Sequence, residues 1–476
     1  MNNIEIQLKL EKELEKELKQ QRNKQKSKYD ILWEHILLLS NNFLIPSNDN
    51  IEKAIDIQTD SWFSILESKS RNENPIFDSN IDVEKDATLI RCEKIRMYPT
   101  NLQRKILLIW MDAYISMYNE TIKLFKKRKL DKLPTITNWK KMRTFHLKQI
   151  KDKIIKQTKS CTKQKTQVNS HILDGAIQDA CSKLKSCLTN LKNGNIKHFR
   201  LRYLKQSKDT KIIKIEKYFI NTDKNTFCSS IFKDGFVLKR EVNGKYIDFK
   251  LSEITKDFTI HYNAKTNEFT LLNPVGIDQT SNHTNKDTIA LDPGLCRFMS
   301  GYSTNGCMLI GKELMPKIIW YLKRIDRINN NKDIGSNKKR KVEQRCYKKI
   351  ERLIDDMHWK VIKYLTTNFG NIVIGNLSTK NIISNSSKTD LNGYVKRTAS
   401  LMKLYQFKQR LAFKCKQLNI GYKEVDEAYT SKTCTECGCI KTNLGKTRKY
   451  KCNFCGLEID RDFGGARNIF IGSIDI

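Results

Sequence analysis

Two pairs of cysteines, Cys434 with Cys437 and Cys452 with Cys455, constrain this chain more than any other feature. Each pair has Cys-x-x-Cys spacing, and Gly438 and Gly456 follow directly. Two such knuckles bind one Zn2+ tetrahedrally through four thiolates, and a closed shell of sulfur makes the ion structural. Residues 431–458 are therefore expected to form a zinc ribbon, with Cys439 spare. Lys432, Lys441, Lys446, Arg448 and Lys449 make the ribbon basic, so it is suited to touching nucleic acid. Most other cysteines, such as Cys92, Cys161, Cys228 and Cys346, are scattered singly, and no secretory signal is visible. That pattern fits a reducing compartment rather than a disulfide framework.

Charge narrows the partner. The chain has 88 Lys+Arg against 52 Asp+Glu, a formal charge of +36 over 476 residues. A field of this size attracts polyanions. A biased, Lys-rich genome would account for part of the excess. A membrane is disfavoured because no apolar run reaches 18 residues and no lipidation motif is visible. The length suggests about three folded units.

Residues 1–85 are expected to be an extension, partly disordered. A mixed-charge stretch with Leu10, Leu14 and Leu18 at helical spacing gives way to Arg22, Lys24, Lys26 and Lys28, a candidate nuclear-import signal. From Thr88 to Tyr98 the pattern alternates as a strand, and Pro99-Thr100 ends it. Helices are expected over 101–126, 140–160 and 171–191 from apolar residues at three- and four-residue spacing. Residues 201–275 switch to short alternating segments, with turns at Asp234-Gly235 and Asn243-Gly244 expected to close hairpins of a small β-barrel.

Asp292 ends the apolar strand 287–292 and is followed by Pro293-Gly294. A basic helical hairpin over 317–364, a buried strand at 371–377, a helix near 401–414 and a strand near 421–427 come next. This order is expected of an RNase H-like sheet. Asp460 and Asp462 open a last helix, where Asp460 is read as a cap. Polynucleotide hydrolysis needs carboxylates from separate strand ends, because two divalent ions must hold the attacking water and the leaving oxygen. Mg2+ prefers such hard oxygen ligands. Asp292 and Asp462 are two candidates.

Taken together, the strand ending in Asp292-Pro-Gly, the Lys/Arg helix, Tyr429-Thr-Ser-Lys-Thr-Cys-Thr-Glu-Cys-Gly438, Cys452-Asn-Phe-Cys-Gly456 and Asp460-Arg-Asp462 resemble the TnpB and Fanzor nucleases, distant relatives of type V CRISPR effectors. Met97-Tyr-Pro-Thr-Asn-Leu-Gln103 extends the resemblance over roughly residues 88–470. It implies that Asp292 is the first catalytic aspartate and Asp462 the last. Where most TnpB proteins carry glutamate on the second catalytic strand, this chain has Gly375. Many Fanzor proteins resemble it, with glycine there and a glutamate just before the Thr-Ser-Lys-Thr-Cys run, here Glu427. Glu427 is thus expected to supply the third carboxylate, with Asp426 and Glu424 as rivals. Gly464, where relatives usually have asparagine, is a second departure.

The resemblance implies a multidomain α+β protein with a RuvC-like (RNase H-type) nuclease core and an inserted zinc ribbon. The expected layout is a β-barrel wedge domain at 86–99 and 201–283, a helical recognition domain at 100–200, and the core at 284–430 and 459–476. It also implies an RNA-guided DNA endonuclease. The expected cofactors are Mg2+ at Asp292, Glu427 and Asp462, and Zn2+ at the four cysteines. The expected partners are an omega-type guide RNA from its own locus and target double-stranded DNA, with no membrane and a monomeric state. The location would be nuclear in a eukaryotic or virus-infected eukaryotic cell, otherwise cytoplasmic, and not secreted. An unguided RNase H-like nuclease or resolvase, and an inactive nucleic-acid-binding regulator, are the alternatives.

Overall fold

The computed structural model describes residues 32, 36, 62–67, 89–131, 135–160, 167–206, 209–242, 244–280, 287–377, 379, 383, 392–445 and 447–474. The basic run at 22–28, Cys161 and Lys446 lie outside them. The chain divides into two compact units, residues 88–277 and residues 1–87 with 278–476. It is mixed α/β with several sheets.

In the first unit, β2 (Leu89–Tyr98) runs into α1 (Asn101–Leu130). The motif between them is a capping box: the Thr100 hydroxyl accepts from the Gln103 amide, and the Gln103 side chain accepts from the Thr100 amide at 2.9 Å. Gln103 also donates to the carbonyls of Asp234 and Gly235. This explains the Asp234-Gly235 pair, which closes no hairpin, contrary to expectation. A β-carbon on Gly235 would stand 2.6 Å from the Lys224 carbonyl oxygen, so close approach requires glycine there.

The helix expected over 140–160 is interrupted. A π-turn spans Met142–His146, and α2 begins at Lys148 (Lys148–Ser160). Met142 and Leu147, both fully buried, are five residues apart; an i to i+5 turn, with Leu147 donating to the Met142 carbonyl, brings both inward. α3 (Ser170–Lys192) follows.

The strands β3 (Thr210–Ile215), β6 (Val237–Val242), β7 (Lys245–Asp248), β8 (Phe258–Asn263) and β9 (Glu268–Ile277) join β2 in an antiparallel sheet of order β3-β8-β9-β2-β6-β7. The hairpin expected at 243–244 is present, with Val242 opposite Lys245. The expected barrel differs: among the described residues no ladder joins β3 to β7. The edge strand β7 is exposed along its length and carries charge at both ends, as unpaired edges often do. A minor pair, β4 (Ile220–Asn221) and β5 (Thr226–Phe227), completes the unit. Trp110, Phe227, Phe232 and Phe258 fill its core.

The second unit is built on a mixed sheet. Strands β10 (Thr288–Pro293), β11 (Met299–Ser303) and β12 (Gly306–Ile310) form an antiparallel meander. β13 (Asn371–Gly375) and β14 (Gly421–Val425) add parallel to β10. The helices are α4 (Leu314–Asn330), α5 (Ser336–Asn368), α6 (Gly393–Leu401), α7 (Leu404–Leu418) and α8 (Arg461–Ile471). From the segment read as an extension, β1 (Phe63–Glu67) pairs with β12 as the outermost strand, with Phe63 opposite Ile310. Leu32 and Ile36 are buried in the same unit.

Period-two alternation assigns the faces of this sheet. Ile289, Leu291, Ile372 and Ile374 pack with residues of α4, α5 and α7. Ala290 and Val373 pack with Phe463, Ala466 and Phe470 of α8. By the same alternation Asp292 and Gly375 fall on the α8 side, and Glu424, in step with the buried Tyr422, falls on the other.

Candidate active site and metal centre

Asp292 sits at the end of β10, beside Gly375 on the parallel neighbour, since Leu291 pairs with Ile374. Its carboxylate rests against α8: a β-carbon on Gly465 would stand 2.5 Å from Asp292 Oδ2 and 3.5 Å from Ser431 Oγ. Burial, then the neighbouring charges of Glu427 and Asp462, hold the Asp292 carboxyl well above the ordinary carboxylate range.

Glu427 reaches the same place from beyond β14. Its Oε2 lies 2.7 Å from where a Gly375 β-carbon would be. That oxygen is buried and accepts no hydrogen bond. The Leu377 backbone amide donates to this carboxylate, and Lys408 favours its charge, yet burial prevails and pushes its pKa up to about 7.

Asp462 stands in the first turn of α8. Asp460 is the N-cap, as expected, with Oδ1 accepting from the Asp462 amide at 2.9 Å. Arg297, only 3% exposed, donates through Nη1 to both oxygens of Asp460 at 3.0 Å and to Asp462 Oδ2 at 3.2 Å. Burial, then the charge of Asp460, raises the Asp462 carboxyl, and Arg297 opposes them.

The rivals for the third carboxylate have other partners. Glu424 accepts from Tyr422 at 2.7 Å and from Lys408 at 3.3 Å, on the far side of the sheet. Asp426 accepts from the Ala428 amide at 2.9 Å in a local turn. Asp292, Glu427 and Asp462 thus come from three separate elements, and the charges of Glu427 and Asp462 both act on the Asp292 carboxyl. Three carboxylates with an orphaned buried oxygen fit a divalent cation, whose charge would relieve both the repulsion and the unsatisfied acceptor.

At the ribbon, the sulfurs of Cys434, Cys437, Cys452 and Cys455 all lie within 4.8 Å of one another, the only group of this kind among the described residues. The carboxylate oxygens do not converge so tightly. The Cys434–Cys455 and Cys437–Cys452 sulfur distances are both 3.6 Å. A tetrahedron with metal–sulfur bonds of about 2.3 Å has edges near 3.8 Å, so the cluster fits a structural zinc site. Gly438 and Gly456 adopt φ of +72° and +77°, which explains a glycine after each knuckle. The hairpin of β15 (Lys449–Lys451) and β16 (Glu458–Asp460) carries the second knuckle between its strands and leads into α8.

Three site residues were not anticipated. Asn468, fully buried on α8, donates to the carbonyls of Thr430 at 2.8 Å and Thr433 at 2.9 Å, anchoring the loop that follows Glu427. Arg467, also buried, donates to the Thr435 carbonyl and hydroxyl inside the first knuckle. Arg297 is the third. All three act across long sequence separations, and only the Asp-Pro-Gly-x-x-Arg spacing placed Arg297 near a candidate. At Gly464 a β-carbon would meet only Ile459 at 3.6 Å, an ordinary contact.

Residues 405–469 match the model of the Cas12f1-like TNB domain. The CRISPR-associated endodeoxyribonuclease Cas12f1 of Sulfoacidibacillus thermotolerans is 37% identical over 73 residues, 15% of this chain and 17% of that protein. Among solved structures, a Cas12f1-sgRNA-target DNA complex aligns over 80% of this chain and 99% of its own at 16% identity and a TM-score of 0.31. TnpB-like protein R854 of Acanthamoeba polyphaga mimivirus is 31% identical over 457 residues, covering 87% of this chain and 82% of that protein, so the chain belongs to the TnpB/Fanzor-type family.

Proposed function

We propose that the chain is an RNA-guided DNA endonuclease whose RuvC-like core, residues 284–430 and 459–476, hydrolyses phosphodiester bonds with Mg2+ held by Asp292, Glu427 and Asp462. The observation that carries this reading is the buried, unsatisfied Oε2 of Glu427 above Gly375, on the side of the sheet where Asp292 stands. Bound Mg2+ supplies charge for the attacking and leaving oxygens. The chain's own part is to aim three carboxylates from three elements at one sheet end.

DNA as substrate is supported by the local match to an endodeoxyribonuclease, and polyanion binding by the +36 charge. Guide RNA is inferred from the family and from the basic units 86–99 with 201–283 and 100–200, which on this reading hold RNA and a short flanking DNA motif. Pairing with the guide would then select the sequence. Zn2+ at the ribbon is structural, and the protein acts as a monomer, in the nucleus when its host cell is eukaryotic.

The test is to purify the protein from cells carrying its native locus, sequence the bound RNA, and assay the complex on DNA carrying the matching target. A discrete RNA from the locus and Mg2+-dependent cutting are expected. Cutting without RNA would favour an unguided nuclease, and RNA binding without cutting an inactive regulator.

A further inference from the structure

Four carboxylates approach the end of this sheet, yet only three have been assigned to the cation. Asp460 and Asp462 are two residues apart, the first buried and the second partly so, and nothing in the spacing alone decides between them. The difference lies in Arg297. It is 3% exposed, and its Nη1 contacts both oxygens of Asp460 but only Oδ2 of Asp462.

Arg297 arrives there because the loop after Asp292 turns tightly. The Gly294 amide donates to the Phe298 carbonyl at 3.1 Å, and a β-carbon on Gly294 would stand 2.8 Å from the Arg297 carbonyl oxygen. Phe298 anchors the far side of the loop, packed against Phe407 and His358. The same loop therefore ends the strand of Asp292 and delivers the cation that faces α8.

We infer that Arg297 is a positioning residue that dedicates Asp460 to structure and keeps it from binding the catalytic cation, while fixing Asp462 by one oxygen. Asp460 has both oxygens on the guanidinium and one also on the Asp462 amide, so each of its oxygens is engaged within the protein. Asp462 is held through Oδ2, and its other oxygen lies outside the Arg297 contact. One buried positive charge so balances one buried negative charge, leaving three carboxylates for the metal. The inference rests on the proposed metal-dependent reading of the same site.

The test separates metal affinity from turnover. The full chain with its bound RNA is titrated with Mn2+, followed by the electron paramagnetic resonance signal of the free ion, for wild type, Arg297→Met, Asp460→Asn and the double variant. Asparagine keeps the helix cap, so Asp460→Asn tests charge rather than capping. In Arg297→Met the freed Asp460 carboxylate joins the site: Mn2+ should bind several-fold tighter while cleavage at saturating metal falls about 10–100-fold, the range for groups that orient metal ligands. The double variant should return Mn2+ affinity toward wild type. Arg297→Lys, which retains the charge, should restore part of the cleavage. A merely structural role would weaken binding and cleavage together and lower the melting temperature, and that outcome, or unchanged Mn2+ affinity in Arg297→Met, overturns the inference. If wild type binds Mn2+ but cuts no DNA, the nuclease reading fails, while the affinity series still decides the role of Arg297.

Discussion

The Oε2 atom of Glu427 lies 2.7 Å from the position a β-carbon on Gly375 would take, so the glycine on one strand and the glutamate beyond the next share one space. Ile469 and Pro293 close that space at 3.2 Å each. A side chain at 375 would therefore displace the carboxylate of Glu427 from its present position.

Glu427→Gln is expected to lower Mg2+-dependent cleavage about 10²–10³-fold, the scale seen when one preorganised electrostatic contact is removed. Gly375→Ala should also impair cleavage, because the new methyl displaces Oε2. Gly375→Glu combined with Glu427→Ala should recover part of the activity, since the carboxylate then enters the emptied space from the neighbouring strand. Cleavage rates of the four proteins at saturating metal check this, and full activity of Glu427→Gln would remove Glu427 from the site.

The raised pKa of Glu427 sets a direction for stability. With a folded value of about 7 against an ordinary value of 4.5, the metal-free folded state holds its proton more tightly than the unfolded chain. Stability from this group is greatest below the ordinary value, declines as pH rises between the two, and stays reduced above 7. Glu427→Gln should therefore raise the melting temperature of the metal-free protein at pH 8 and change it little at pH 4.5. Mg2+ should shrink the difference at pH 8, because the cation favours the ionised carboxylate that the variant lacks.

Much of this was legible in the chain because the informative patterns are local. The Cys-x-x-Cys-Gly knuckles and the apolar strands at 288–292 and 371–375 are each fixed by contacts within a few residues, or by burial on both faces. The place of Asp292 near the end of its strand was legible for the same reason. What escaped reading depends on long-range placement: Arg297 reaches Asp460 across 163 residues, and Asn468 reaches Thr430 across 38. The π-turn at 142–146 was hidden because a five-residue spacing of buried residues reads as an imperfect α pattern. Asp234-Gly235 misled because Asp-Gly signals a hairpin, whereas here the glycine is required by the Lys224 carbonyl.

The zinc cluster should be coupled to the carboxylates through α8. Arg467 holds Thr435 between the first two cysteines, and Asn468 holds the loop after Glu427. Cys434→Ser should lose the bound zinc, lower the melting temperature and abolish cleavage, whereas Cys439→Ser should retain one zinc per chain and near-normal activity. Zinc content by mass spectrometry of the native protein, with the melting curve, checks this. Retention of zinc by Cys434→Ser would contradict the four-thiolate shell.

A chain shortened to begin at residue 86 tests whether the N-terminal region is dispensable. β1 covers the edge of β12, the Trp62 indole donates to Asp356 on α5 at 3.0 Å, and Ile36 is fully buried in the core that contains α8. Removing these residues exposes the hydrogen-bonding edge of a strand whose Cys307, Met308, Leu309 and Ile310 are buried, and such an edge recruits other chains. It also takes the fully buried Ile36 out of that core, and one lost buried Ile costs about 2–5 kcal/mol in comparable cores. The shortened protein should therefore melt at a lower temperature and aggregate at concentrations where the full chain remains dispersed. Light scattering and thermal melting of the two proteins decide the matter: equal behaviour would mean that β1 is an appendage, as the composition of residues 1–85 alone suggests.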